Sequence, residues 1–206
     1  MFLLIIAILI AYLLGSIPVS VWLGRALKGI DLREHGSGNA GATNAFRVLG
    51  TPIGIAVFML DMAKGYAAVN LSHIQSHLQP DTEAWMALRV GLGLLSVAGH
   101  IFPVFAGFRG GKGVSTMAGI GLALHPLSAA CALGIYALVF LIRRVSSLGS
   151  LAAVLSYPLW MILVFHSEFR TLWAFSIMVP ILVIITHRSN IRRLLQKEEK
   201  SLERKS

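Results

Sequence analysis

Seven apolar runs, separated by short polar stretches, constrain this chain more than any other feature in it. They fall at about 1–24, 51–72, 84–105, 114–124, 126–142, 148–165 and 171–186. A helix needs roughly 20 apolar residues to cross a bilayer upright, and backbone in hydrocarbon has to satisfy its own hydrogen bonds. The runs predict an all-α integral membrane protein of about seven transmembrane helices, some of them short. The run at 114–124, closed by His125-Pro126, is the shortest and predicts a half-helix or a kinked pair with its successor; five full spans is the alternative count. Run 1–24 has no basic leader and no small-x-small cleavage site, so it reads as a first membrane helix rather than a removed signal. Composition agrees. Of 206 residues, 56% are hydrophobic and 13% charged, which excludes an ordinary soluble domain. We read 1–206 as one polytopic domain with a solvated, basic tail at 196–206. The single cysteine, Cys131, lies in an apolar run and allows no disulfide within the chain.

The net charge of +9 would suggest nucleic acid in a soluble protein. Its distribution argues otherwise. With seven helices, the loops at 25–50, 106–113 and 143–147 and the tail from His187 share one side, and they carry fifteen of the eighteen lysines and arginines. The loop at 73–83 has none and the loop at 166–170 has Arg170 alone. The positive-inside rule then places the C-terminus in the cytoplasm and the N-terminus outside. Every glycine-rich or basic motif falls on the cytoplasmic face, and no nucleic-acid partner is expected.

The most polar of these motifs is Gly36-Ser37-Gly38-Asn39-Ala40-Gly41-Ala42-Thr43-Asn44-Ala45-Phe46-Arg47. Three glycines let the backbone turn tightly and approach a ligand. Ser37, Asn39, Thr43 and Asn44 supply neutral hydrogen-bonding groups, and Arg47 a planar fork suited to phosphate or carboxylate. A helix starting near Asn39 would set Asn44 and Arg47 on one face and turn its free amides toward an anion. The stretch fits G-x-G-x-x-G literally, but it follows Asp31-Leu32-Arg33-Glu34-His35 and lies between apolar helices. A dinucleotide site requires a βαβ context.

The second cluster is Gly99-His100-Ile101-Phe102-Pro103 followed by Gly107-Phe108-Arg109-Gly110-Gly111-Lys112-Gly113. It looks like a phosphate loop without matching one, since Ala106 and Gly113 stand where a glycine and a Ser or Thr are required. Mobile amides, Lys112 and a following helix still suit an anion. Within the second run, Asp61 and Lys64 lie three apart at a depth where charge is costly, as a structural ion pair or as part of the site. His100 reads as a structural histidine. Arg143-Arg144 mark topology, and Ser146-Ser147 suit a helix cap or a ligand. In His187-Arg188-Ser189-Asn190, His187 and Asn190 face the same way, and a histidine there can bond or deprotonate a hydroxyl.

In this order the clusters resemble the bacterial acyl-phosphate:glycerol-3-phosphate acyltransferases, the PlsY family. The shared pieces are Gly36 to Asn44 with Arg47, Asp61 to Lys64-Gly65, Gly99-His100 to Pro103, Gly107 to Val114, Ser146 to Gly149, and His187 to Ile191. Ala40, where proline is common, and Arg109, where lysine is common, are mild departures. The resemblance implies a monomeric, multi-pass enzyme of the bacterial cytoplasmic (inner) membrane with its active site on the cytoplasmic face. It would acylate the 1-hydroxyl of glycerol-3-phosphate from acyl phosphate, giving lysophosphatidic acid and phosphate for phospholipid synthesis. Its partners would be those two substrates and membrane lipids, with no cofactor and no metal.

Under that resemblance His187, Asn190, Ser37 and Arg47 take catalytic roles. Gly36, Gly38, Asn39, Thr43, Asn44, Gly110, Gly111, Lys112, Gly113, Ser146 and Ser147 bind substrate. Either His187 or a substrate phosphate oxygen takes the hydroxyl proton. Two other classes compete. An organic-phosphate transporter would use similar loops but should show internal repeats, and none is visible. A helical scaffold would not account for polar motifs gathered on one face.

Overall fold

The computed structural model describes residues 1–75, 78–199 and 201–202. Among these the chain forms ten α-helices and no strand. They belong to two compact units, 1–124 and 125–206.

The first unit holds α1 (Phe2–Ser16), α2 (Val19–Lys28), α3 (Ala42–Val48), α4 (Thr51–Asn70), α5 (Glu83–Ile101) and α6 (Val114–Leu124). Its interior surfaces are small. The buried side of α1 is Ala7, Ala11, Gly15 and Ser16, whereas Phe2, Leu9 and Leu13 are exposed. This inside-out pattern suits helices that meet backbone to backbone in lipid. A Cβ on Gly15 would stand 2.0 Å from the carbonyl oxygen of Ser96, and one on Gly99 2.3 Å from that of Tyr12, so α1 and α5 touch through glycine. Helices α4 and α6 meet in the same way through Gly65 and Gly119.

Run 1–24 is not one straight helix. Pro18 forces Ile17 into an extended conformation, and α1 and α2 diverge by 42°. The break takes the Ile17 carbonyl out of the helical ladder; it accepts from the Val19 amide at 3.0 Å and from the buried ammonium of Lys64 at 3.1 Å. Such irregular backbone is tolerated in a membrane where protein covers and bonds it. Helix α6 has 11 residues, about 16 Å of rise against a hydrocarbon core of about 30 Å. Its far end is held by Arg89, which donates to the carbonyl of Ala123 at 2.6 Å and stacks on Trp85.

The second unit holds α7 (Pro126–Arg143), α8 (Ser146–Pro158), α9 (Arg170–Thr186) and α10 (Arg188–Leu195). Pro158 lacks the N–H that α8 would use next, and the chain continues as a π-helical stretch, Leu159–Val164. Tyr157 meets Phe175 edge-on at 6.2 Å, joining α8 to α9. Helices α9 and α10 bend by 69° at His187.

Four stretches among the described residues are long and apolar enough to cross a membrane: Thr51–Ile74, Glu83–Ala106, Pro126–Arg143 and Ser146–Val164. Counting each bent pair as one span gives six, and Val114–Leu124 is the shorter seventh segment.

Candidate functional site

In the first unit the loop before α3 is shaped by two side chains. Asn44, on α3 and 1% exposed, accepts from the Ser37 amide at 2.9 Å through Oδ1. Its Nδ2 donates to the carbonyls of Leu32 at 3.1 Å and His35 at 3.0 Å. One amide thereby closes the turn 32–37 into a ring over the start of α3. Gly36 and Gly38 sit there at φ +64° and +70°, a region that favours glycine. Gly36, Ser37 and Gly38 are exposed, while Asn39, Thr43 and Arg47 are half-buried. Helix α3 begins at Ala42 rather than near Asn39, because Gly41 is extended and caps it.

The second side chain is Asp31. Its carboxylate accepts from Arg33 at 2.7 and 3.0 Å and from Arg25 at 2.8 Å. The Arg33 guanidinium holds the Asp31 carboxyl well below the usual carboxylate range. Arg33 then donates through Nη1 to the carbonyl of Ala106 at 2.6 Å. That bond ties the first glycine-rich loop to the second.

The second loop lies on the end of α5. The amides of Gly110 and Gly111 donate to the carbonyls of Ile101 and His100, each at 3.1 Å. A Cβ on Gly111 would stand 2.1 Å from Nε2 of His100 and 3.1 Å from the carbonyl oxygen of Ala40. Glycine is thus required where the two loops and the imidazole meet. Gly113, at φ +82°, turns the chain into α6 directly after the half-buried Lys112.

In the second unit the organising group is the carboxylate of Glu199. Its Oε1 accepts from Ser147 Oγ at 2.8 Å and from Asn190 Nδ2 at 2.5 Å, and its Oε2 from Arg193 Nε at 2.6 Å. Burial alone would push this carboxyl's pKa up, but the bonds from Arg193, Asn190 and Ser147 prevail and lower it. The α8 start, α10 and the tail are joined at this one group. His187 is 4% exposed, and its Nδ1 lies 3.1 Å from the carbonyl oxygen of Val183. A carbonyl only accepts, so in that contact Nδ1 carries a proton and donates.

Two further expectations need correction. Ser146 and Ser147 do not cap α8, whose N-cap is Val145. Ser146 Oγ pairs with the Tyr136 hydroxyl at 3.0 Å, and Ser147 binds Glu199. Nor is the tail simply solvated: besides Glu199, the amide of Leu202 donates to the carbonyl of Arg144 at 2.8 Å. Of the expected tail, residues 200 and 203–206 lie outside the described residues. Sequence reasoning missed Arg33 and Glu199 because each sits in a charged stretch. A signal for Arg33 was available in Asp31, two residues earlier, at a spacing suited to a local carboxylate–guanidinium pair.

Comparison with known proteins bears directly on these loops. The family model described as "Glycerol-3-phosphate acyltransferase" matches residues 5–197. The chain is 41% identical to the glycerol-3-phosphate acyltransferase of Chlorobium phaeobacteroides (strain BS1), covering 97% of this chain and 96% of that one. It is 42% identical to that of Chlorobaculum parvum, covering 95% and 94%. Among solved structures it is similar to the crystal structure of PlsY (YgiH), described as an integral membrane glycerol 3-phosphate acyltransferase in its glycerol 3-phosphate form. The TM-score is 0.85 and the identity 37%, over 96% of this chain and 94% of that one. The lysphosphatidic acid form of that protein superposes with a TM-score of 0.83 at 36% identity, with the same coverage. A likeness running through nearly the whole of both chains, glycine-rich loops included, makes this all-α membrane protein a member of the glycerol-3-phosphate acyltransferase family.

Proposed function

We propose that the chain transfers a fatty acyl group from acyl phosphate to the 1-hydroxyl of sn-glycerol-3-phosphate. The products are 1-acyl-sn-glycerol-3-phosphate and inorganic phosphate, the acylation that feeds phospholipid synthesis. The observation that carries the reading is the full-length match to glycerol-3-phosphate acyltransferases, one of them solved in forms named for glycerol 3-phosphate and lysphosphatidic acid.

The chemistry suits the residues. One substrate is a soluble dianion, and the other keeps its acyl chain in lipid, so the reaction belongs at the membrane surface. Arg47 and Lys112 hold phosphate groups. The amides of Ser37, Gly38, Gly110 and Gly111 are bonded within the protein, so the loops 36–41 and 110–113 serve by their shape and by bringing those cations to the substrate. The hydroxyl oxygen attacks the acyl carbonyl carbon, and the bond from that carbon to the phosphate oxygen breaks. The departing phosphate is a good leaving group, so orientation and charge neutralisation account for most of the acceleration. The hydroxyl proton passes to Nε2 of His187 or to a substrate phosphate oxygen. Ser37 and Asn190 orient the glycerol or the carbonyl, and Ser146 and Ser147 contact substrate. Asn44 gives loop 32–37 its shape. In this reading the N-terminus lies outside and the C-terminus and active residues on the cytoplasmic face, an orientation that loop charge supports. The bacterial inner membrane and a monomer among lipids are what the family resemblance implies.

The donor is tested by offering labelled glycerol-3-phosphate with acyl phosphate, acyl-CoA or acyl carrier protein thioester in turn. Labelled lysophosphatidic acid with acyl phosphate alone supports the reading. Product from a thioester with no acyl phosphate present would replace the donor.

A further inference from the structure

Asp61, Lys64 and His100 form a buried cluster that the reaction as written does not use. They are 2%, 6% and 6% exposed. Lys64 Nζ lies 2.8 Å from Asp61 Oδ1 and donates to the Ile17 carbonyl at 3.1 Å. On its other side the same carboxylate oxygen lies 3.6 Å from Nδ1 of His100, just beyond hydrogen-bond distance.

What the imidazole touches next gives the cluster its meaning. Its Nε2 edge faces the backbone of Gly111, closely enough that a Cβ there would stand 2.1 Å away. The His100 carbonyl accepts from the Gly111 amide, and a Cβ on Gly110 would stand 2.0 Å from that carbonyl oxygen. Ring and carbonyl of one residue therefore form the bed of loop 110–113. Ala40 of the first loop lies against the same glycine. A small cleft beside the cluster is lined by Ala40, Asp61, Lys64, His100, Pro103 and Gly110, so the charges border both loops.

We infer that Asp61 and His100 are positioning residues for phosphate binding: the carboxylate fixes the imidazole, and the imidazole sets the height of the Gly110-Gly111-Lys112 backbone. Lys64 neutralises Asp61 and fastens the cluster to the break between α1 and α2. A pair needed only to hold helices together would not have to face the glycine. The inference rests on the proposed reaction, in which Lys112 of this loop holds one of the two phosphate groups. Such a contact binds ground state and transition state alike, so its loss appears in KM before kcat.

The test is steady-state kinetics on purified protein, varying each substrate in turn, with the thermal unfolding transition recorded alongside. His100→Ala should raise KM for one phosphate substrate about tenfold or more while kcat stays within about threefold. His100→Asn, which keeps a polar atom toward Asp61, should recover most of the loss. Gly111→Ala should show the same KM defect through its clash with the ring. The double variant should be much less impaired than the product of the two single effects, because the ring that the added methyl group would strike is gone and only the milder 3.1 Å approach to the Ala40 carbonyl remains. Unchanged KM in folded His100→Ala, multiplicative effects in the double variant, or loss of stability without rescue by asparagine would overturn the inference. If His100→Ala does not accumulate, Asp61→Asn reads the contact from its other side: a raised KM supports the inference and an unchanged KM overturns it. Wild-type protein that fails to turn over would refute the proposed reaction instead, a separate result.

Discussion

The guanidinium of Arg33 grips the carboxylate of Asp31 with one edge and donates to the carbonyl of Ala106, 73 residues away in sequence, with a remaining nitrogen. A residue whose charge first reads as a topology marker is thus the strap between the two glycine-rich loops. Only a planar, multi-donor cation can make both contacts at once.

Replacing Arg33 should loosen that strap. Arg33→Ala is expected to lower stability by roughly 1.5–3 kcal/mol, the range for hydrogen bonds to charged groups. It should also raise KM for a phosphate substrate about tenfold. Arg33→Lys should recover little, because an ammonium cannot span Asp31 and Ala106 together. Kinetics and thermal unfolding of the two variants check this, and wild-type behaviour in Arg33→Lys would show the fork is dispensable.

Glu199→Gln should weaken the junction of Ser147, Asn190 and Arg193 and reduce turnover, since Asn190 loses its anchor. The pH dependence has a definite sign. The carboxyl titrates below its ordinary value of 4.5 when folded, so its contribution is complete above that value and disappears as pH falls through the folded one. The difference in unfolding temperature between wild type and Glu199→Gln should be constant at neutral pH and narrow only under acid conditions. A difference that shrinks near neutrality would contradict the assignment.

The α4–α6 contact should tolerate no side-chain growth. A Cβ on Gly119 would stand 1.9 Å from the Met62 carbonyl oxygen, and one on Gly65 2.2 Å from that of Thr116. Both obstacles are backbone, so the helices must separate. Gly119→Ala or Gly65→Ala should cost about 1–3 kcal/mol, the range for overpacking, whereas Gly134→Ala, which meets nothing within 4 Å, should be neutral. Unfolding curves in detergent decide between them.

His187→Ala should lower kcat by about 10²–10⁴ if Nε2 takes the hydroxyl proton. Arg47→Ala should abolish transfer in protein that still unfolds cooperatively. Near-normal rates in either variant would remove that residue from the chemistry.

Much of this architecture was legible in the sequence because lipid demands long apolar runs, and each expected run has a helix in it. The breaks were harder. Pro18 and Pro158 lie inside runs that read as single segments, and nothing in the sequence showed that Lys64 would bond the Ile17 carbonyl or that a π-helical stretch would follow Pro158. The glycine-rich loops stood out by composition, whereas Arg33 and Glu199 were hidden. Their importance lies in partners that come from other helices and loops, as Ala106 and Ser147 do, and no spacing rule reaches that far. Ser146-Ser147 looked like a cap because the local rule favours serine at a helix start; tertiary partners in Tyr136 and Glu199 overrode it.

Phosphate release from synthetic acyl phosphate by purified protein, with and without glycerol-3-phosphate, tests the central claim most directly. The account predicts release that depends on glycerol-3-phosphate and is matched by lysophosphatidic acid. Folded protein that releases no phosphate, yet carries glycerol-3-phosphate into vesicles without any acyl donor, would contradict it and mark the chain as a transporter.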